Sequence, residues 1–193
     1  MSAGRELILI LGGVRAGKSS FAQKLAAQIG SSVTFVATAE AGDEEMRRRI
    51  EQHQRSRPLG WRTVEAPLHP AAALRGTPPA DVVLLDCLTL LVSNLMLRED
   101  PGPVAERVSA EVSDLLGVFE RGPSSFIVVS NEVGLGVVPP YPSGRAFRDL
   151  LGSVNQRLAQ RADRVYWMLA GLPLEVKASG LVASWERPHG HDC

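Results

Sequence analysis

The sequence predicts one three-layer α/β domain, a mostly parallel sheet with helices on both faces. Three observations lead there. The stretch Gly12-Gly13-Val14-Arg15-Ala16-Gly17-Lys18-Ser19 fills every fixed position of a G-x-x-x-x-G-K-[ST] phosphate-binding loop. Short apolar runs alternate with helix-period segments, with no long linker and no internal repeat. One of those runs, Val82-Val83-Leu84-Leu85-Asp86, closes on a carboxylate as a Walker B strand does. A chain of 193 residues, 45% hydrophobic, suffices for one sizeable core. The domain is expected to span residues 1–180, with 181–193 a flexible tail.

Each element follows from local pattern. Leu7–Leu11 is an unbroken apolar run and reads as a buried strand; Ser19–Ile29 after the loop reads as a helix. Such a setting turns backbone N–H groups toward a phosphate chain, brings Lys18 to the β/γ-phosphates and makes the Ser19 hydroxyl a Mg²⁺ ligand. Val33–Ala37 is a second strand. Asp43 to Gln54 is charged and free of Gly and Pro, an exposed helix with an acidic start. Trp61–Glu65 alternates like a short half-buried strand, and Pro70–Leu74 is a weak helix. Asp86 then meets the Mg²⁺ shell at the end of its strand, beside Cys87 in the expected core. Val104, Val108, Val112, Leu115, Leu116 and Phe119 recur at helical spacing up to Gly122-Pro123. Phe126–Ser130 is another strand, leading into the Gly- and Pro-rich segment Asn131–Pro142 at the end of the sheet where such folds place ligands. Arg145–Ala162 reads as a helix and Val165–Leu169 as the last core strand. The whole points to a P-loop NTPase of the RecA-like kind. Kinase, ATPase and GTPase remain equally open at this point.

Composition narrows the partners. Lys+Arg and Asp+Glu are both 21, so no global field favours nucleic acid; Arg47, Arg48, Arg49, Arg55 and Arg57 form only a local basic cluster. No apolar run approaches the roughly 20 residues of a membrane span, and no basic-then-apolar signal segment precedes the first strand. Cys87 and Cys193 make no disulfide framework, so a cytoplasmic location is expected. His189, His191 and Cys193 are expected to belong to a frayed terminus rather than a metal site.

Several ordered segments resemble one family. Besides the phosphate loop they are Arg49-Ile50-Glu51-Gln52-His53-Gln54 with Arg57-Pro58 and Trp61–Glu65, Leu84-Leu85-Asp86-Cys87-Leu88-Thr89, Asn131-Glu132-Val133-Gly134-Leu135-Gly136 with Val138-Pro139, and Phe147-Arg148-Asp149 with Gly152 and Asn155-Gln156-Arg157-Leu158. They are similar, collinearly from Leu7 to about Lys177, to the bifunctional adenosylcobinamide kinase/adenosylcobinamide-phosphate guanylyltransferases of cobalamin biosynthesis. The resemblance implies phosphorylation of adenosylcobinamide by ATP or GTP. It then implies transfer of GMP from GTP to that phosphate, with release of pyrophosphate and formation of adenosylcobinamide-GDP.

By the resemblance the guanylyl carrier falls on His53. A neutral imidazole suits that role, being nucleophilic near pH 7 and forming a reactive phosphoramidate. Nucleotide contacts carry over to Gly12–Ser19, Ala37, Thr38 and Ala39, Gln54, Arg55, Ser56 and Arg57, Glu65 and Asp86, with Ser19 and Asp86 on Mg²⁺. The family's arrangement also implies a trimeric homo-oligomer and a reactive histidine set apart from the phosphate loop unless loops close. Two positions depart from the pattern: Gln52 stands where many relatives carry a first histidine, and Asp86 where some carry Glu. The competing readings are a monofunctional P-loop kinase of a small alcohol and a GTP-binding switch. The second lacks an N-K-x-D-type guanine-reading run, since Asn131-Glu132-Val133-Gly134 does not fit one.

Overall fold

The computed structural model describes residues 4–55 and 57–179, apart from the side chains of Glu45, Met46, Arg49, His53 and Ser179. Ser56 and the expected tail, with its two histidines and Cys193, lie outside the described residues. The described elements are, in order, β1 (Leu7–Gly12), α1 (Lys18–Ile29), β2 (Val33–Ala37), α2 (Glu44–Arg55), β3 (Arg62–Glu65), α3 (Pro70–Arg75) and β4 (Val82–Asp86). They continue with α4 (Leu88–Leu97), α5 (Val104–Arg121), β5 (Ser125–Val129), α6 (Pro142–Arg161), β6 (Arg164–Leu169), β7 (Leu172–Glu175) and a 3-10 turn, Lys177–Ser179.

The sheet runs β3-β2-β4-β5-β1-β6-β7. All neighbours are parallel except the last pair, where β7 folds back antiparallel on β6. β5 lies between the strand that carries the phosphate loop and the strand that ends in Asp86.

Strand side chains alternate between two apolar layers, as a pleat requires. Leu7, Leu9, Val83, Leu85, Phe126 and Val128 face one side and pack with α3, α4, α5 and α6. Ile8, Ile10, Phe35, Leu84, Ile127 and Met168 face the other, where Ala22, Leu25 and Ala26 of α1 cover them. Small residues let α1 lie close on that face.

Three expectations are corrected, and two elements are new. The helix expected from Arg145 begins at Pro142, a residue pre-set for a first helical turn. The strand expected to be half-buried leaves Arg62, Thr63 and Glu65 exposed, because β3 is an edge strand paired only with β2. Cys87 is not core but half-buried at the rim of a cleft. Leu88–Leu97 has no counterpart in the pattern reading, since a helix apolar on nearly every side shows no polar stripe. β7 was also invisible: Leu172, Pro173 and Leu174 are exposed, and only pairing with β6 makes them a strand. Pro173 is tolerated there because the strand is an edge.

Candidate active site

The phosphate loop runs between β1 and α1, and its conformation needs glycine twice. Gly17 adopts φ 89° as it caps α1. A Cβ on Gly12 would lie 2.6 Å from the Met168 carbonyl oxygen, on the strand paired with it. The loop is braced from outside by the β6–β7 turn, where Ala170 and Gly171 both have positive φ; the Gly171 N–H donates to the Ala16 carbonyl at 3.2 Å.

Lys18 is 9% exposed and its Nζ donates to the Gly13 carbonyl at 2.7 Å. Burial lowers its pKa below the usual lysine value, while neighbouring Cys87 and Asp86 pull it back up. The ammonium thus pairs within its own loop.

Around it opens a cleft of about 290 Å³ lined by Val14, Arg15, Lys18 and Ser19 from the loop, by Ala37, Ala39, Glu65 and Asp86 from three strand ends, and by Arg57. Parallel strands that end together bring these distant residues to one place. Residues not named from sequence complete the wall: Phe35, Ile50, Cys87, Leu90, Val129 and Asn131. Ile50, Cys87 and Asn131 lie in segments that carry the family resemblance, and Asn131 also opens the Gly-rich segment after a buried strand.

Arg57 has the most constrained side chain in the cleft. Its guanidinium stacks 4.0 Å from the Phe35 ring centre, Nη1 donates to Thr63 Oγ1 at 3.2 Å, and the Glu65 carboxylate lies 3.8 Å away. Its Nε is buried without a partner. Desolvation lowers its pKa, opposed by Glu65 and then by Asp86. Gln54 reaches Glu65 from α2 at 3.5 Å.

Other expected site residues lie elsewhere. Thr38 is fully buried between Ala37 and Ala39, and its hydroxyl donates to the Cys87 carbonyl at 2.7 Å while accepting the Cys87 N–H at 2.9 Å. Its own carbonyl takes a bond from Asn94 Nδ2 at 2.8 Å. It therefore tethers the end of β4 rather than facing a ligand. Thr38→Val is expected to lower stability by about 2 kcal/mol, the scale for orphaning buried polar groups, seen as a lower denaturant midpoint. Arg55 is exposed and lies 3.9 Å from Glu51 on its own helix. His53 is in α2. On the same helix Ile50 lines the cleft and Gln54 reaches Glu65.

Burial first, then Asp86, pushes the Cys87 thiol up to about 11, which keeps it in the thiol form near neutral pH. No group of three or more metal-ligating side chains occurs among the described residues, and no described helix is long and apolar enough to cross a membrane. Ser19 and Asp86 instead offer one hydroxyl and one carboxylate in a cleft shaped for phosphates, a donor set that fits Mg²⁺, which keeps few protein ligands.

Comparison with known proteins agrees along nearly the whole chain. The family model described as cobinamide kinase / cobinamide phosphate guanyltransferase matches residues 8–176. The bifunctional adenosylcobalamin biosynthesis protein CobP of Pseudomonas aeruginosa is 47% identical over 174 residues, 90% of this chain and 98% of that one. The corresponding CobU proteins of Escherichia coli and Salmonella typhimurium are 38% and 37% identical, each over 89% of this chain and 99% of their own. With its phosphate loop, its carboxylate strand and this match in one continuous span, the chain belongs to the cobinamide kinase / cobinamide phosphate guanyltransferase family.

Proposed function

We propose that this chain phosphorylates the aminopropanol hydroxyl of adenosylcobinamide with ATP or GTP, and then transfers GMP from GTP to the new phosphate through His53. The products are adenosylcobinamide-GDP and pyrophosphate. The observation that carries the reading is one cleft shared by Lys18, Ser19, Asp86, Arg57 and Glu65, with α2 contributing to its wall, in a chain of this family.

In this reading the amides of Gly12–Ser19 hold the phosphate chain and Lys18 moves from the Gly13 carbonyl to the β/γ-oxygens. Ser19 and Asp86 would hold Mg²⁺, which would supply charge against the phosphate oxygens. The unpaired buried Nε of Arg57 takes an acceptor from the nucleotide; a donor left orphaned costs about 1–3 kcal/mol, which ligand binding relieves. Ala37, Ala39, Gln54, Ser56 and Glu65 line the remaining nucleotide contacts. Phosphoryl transfer is direct: the hydroxyl oxygen bonds to the γ-phosphorus as the nucleoside diphosphate leaves. Guanylyl transfer has two displacements. A ring nitrogen of His53 attacks the α-phosphorus and expels pyrophosphate; an oxygen of adenosylcobinamide phosphate then breaks the phosphorus–nitrogen bond.

The reading includes cytoplasmic work and a homo-oligomer, a trimer by resemblance. Leu169, Leu172 and Leu174 on the β6–β7 hairpin are exposed in the single chain, a surface that an assembly would cover. Incubation with adenosylcobinamide, GTP and Mg²⁺, followed by mass spectrometry, tests the whole reading. Adenosylcobinamide-GDP is the expected product. Its absence with phosphorylated corrinoid present leaves a monofunctional kinase, and absence of any corrinoid product overturns the reading.

A further inference from the structure

Because β5 lies between β1 and β4, the residue that leaves β5 emerges between the phosphate loop and Asp86. Val129, the last residue of β5, is in register with Ile10 on one side and with Asp86 on the other. Two residues on, Asn131 lines the cleft together with Lys18, Ser19 and Asp86.

The backbone of Asn131 is held on both sides. Its N–H donates to Thr89 Oγ1 at 2.8 Å, and its carbonyl accepts from Asn155 Nδ2 at 3.0 Å. The Asn155 amide is itself oriented by the buried Ser130 hydroxyl at 2.7 Å. The next residue, Glu132, donates its N–H to the Gly12 carbonyl at 3.2 Å, tying the segment to the phosphate loop. Three elements therefore position this residue, yet among the described residues its side-chain amide makes no hydrogen bond. A neutral donor on so rigid a mount, beside the phosphate loop, is suited to charge that appears only during reaction.

We infer that Asn131 is a catalytic residue of the phosphoryl transfer, its Nδ2 donating a hydrogen bond to an oxygen of the γ-phosphoryl group. The inference rests on the function proposed above. As the acceptor oxygen bonds to the γ-phosphorus, the bond to the β,γ-bridging oxygen breaks. Its electron pair leaves on the nucleoside diphosphate, and the hydroxyl proton passes to water. Charge shifts over the γ-phosphoryl oxygens during that step, where the Asn131 amide meets it. Guanylyl transfer breaks the bond between the α-phosphorus and pyrophosphate instead, so Asn131 is dispensable for it.

The test is Asn131→Ala in the full chain, assayed with ATP, adenosylcobinamide and Mg²⁺, and separately with GTP and Mg²⁺ alone. Kinase kcat is expected to fall about a hundredfold, the scale for one transition-state donor. The KM for ATP and the uptake of GMP by the protein should stay within a few-fold. Asn131→Asp, nearly isosteric and repelled by phosphate, should be impaired at least as much, and it carries the same test if the alanine variant fails to fold. Kinase kcat within three-fold of the parent overturns the inference, as does a loss of GMP uptake in step with kinase activity. If the unaltered chain has no kinase turnover, the proposed function falls and this inference with it. If the unaltered chain turns over and Asn131→Ala is indifferent, this inference alone falls.

Discussion

A His53→Ala protein is expected to take up no GMP from GTP, while the unaltered chain gains the mass of one GMP and releases pyrophosphate with no corrinoid present. The α-phosphorus needs only an imidazole lone pair in line with the leaving pyrophosphate, so labelling does not wait for the acceptor. The adduct should be lost in mild acid and retained in alkali, the behaviour of a phosphorus–nitrogen bond. Labelling should also fade as the medium is made acidic, because a protonated ring has no lone pair to attack with. Guanylyl transfer to adenosylcobinamide phosphate should drop by roughly three orders of magnitude or more, the scale for loss of a covalent nucleophile. Phosphorylation of adenosylcobinamide should persist, since it moves the γ-phosphoryl group directly to a hydroxyl. Intact-protein mass spectrometry reads the first outcome and product analysis the others. A variant that still takes up GMP, or an adduct mapped to Lys18 or His69, removes His53 from the mechanism.

Lys18→Ala is expected to cut kinase kcat/KM about a hundredfold, corresponding to about 3 kcal/mol of transition-state stabilisation. Lys18 is 9% exposed, so its charge should act on phosphate oxygens with little screening by water. Its present partner, the Gly13 carbonyl, is a neutral acceptor that a charged oxygen readily displaces. The fold itself should hold, because Lys18 pairs with its own loop and with no distant element in the described contacts. Steady-state kinetics with ATP, alongside a thermal melt, separates the two effects. A variant within a few-fold of the parent shows that Lys18 does not contact the transferring group.

Much of the site was legible in the chain because phosphate binding is a local device. Gly12–Ser19 must adopt one loop shape wherever it occurs, and a buried strand in a parallel sheet must read as an apolar run. The alternation of such runs with helical stretches sufficed for the layers, and Asp86 was visible because its apolar strand follows a complete phosphate loop; alone, such a run ending in a carboxylate is common. His53 was different. An exposed histidine on a charged helix carries no physical signal of its own, and its role came only with the flanking resemblance.

Sequence by itself determined the phosphate loop, the strand ends and the three-layer class, since each depends on residues adjacent in the chain. The tertiary structure alone decided which of the expected contacts share a cleft. Pairing of β2 with both β3 and β4 brought Glu65 to Ala37 and Asp86, stacking on Phe35 turned Arg57 inward, and Thr38 went to the backbone of Cys87 instead of a ligand. The same holds for α4 and β7. One is apolar on nearly all sides and the other is an exposed edge, so neither bears a period that could announce it before its neighbours are in place. Asn131 stands between the two cases: its loop was marked by glycine and proline, but its place between the phosphate loop and Asp86 exists only because β5 inserts between β1 and β4. Register and strand order join residues far apart in the chain, and no local pattern encodes that distance.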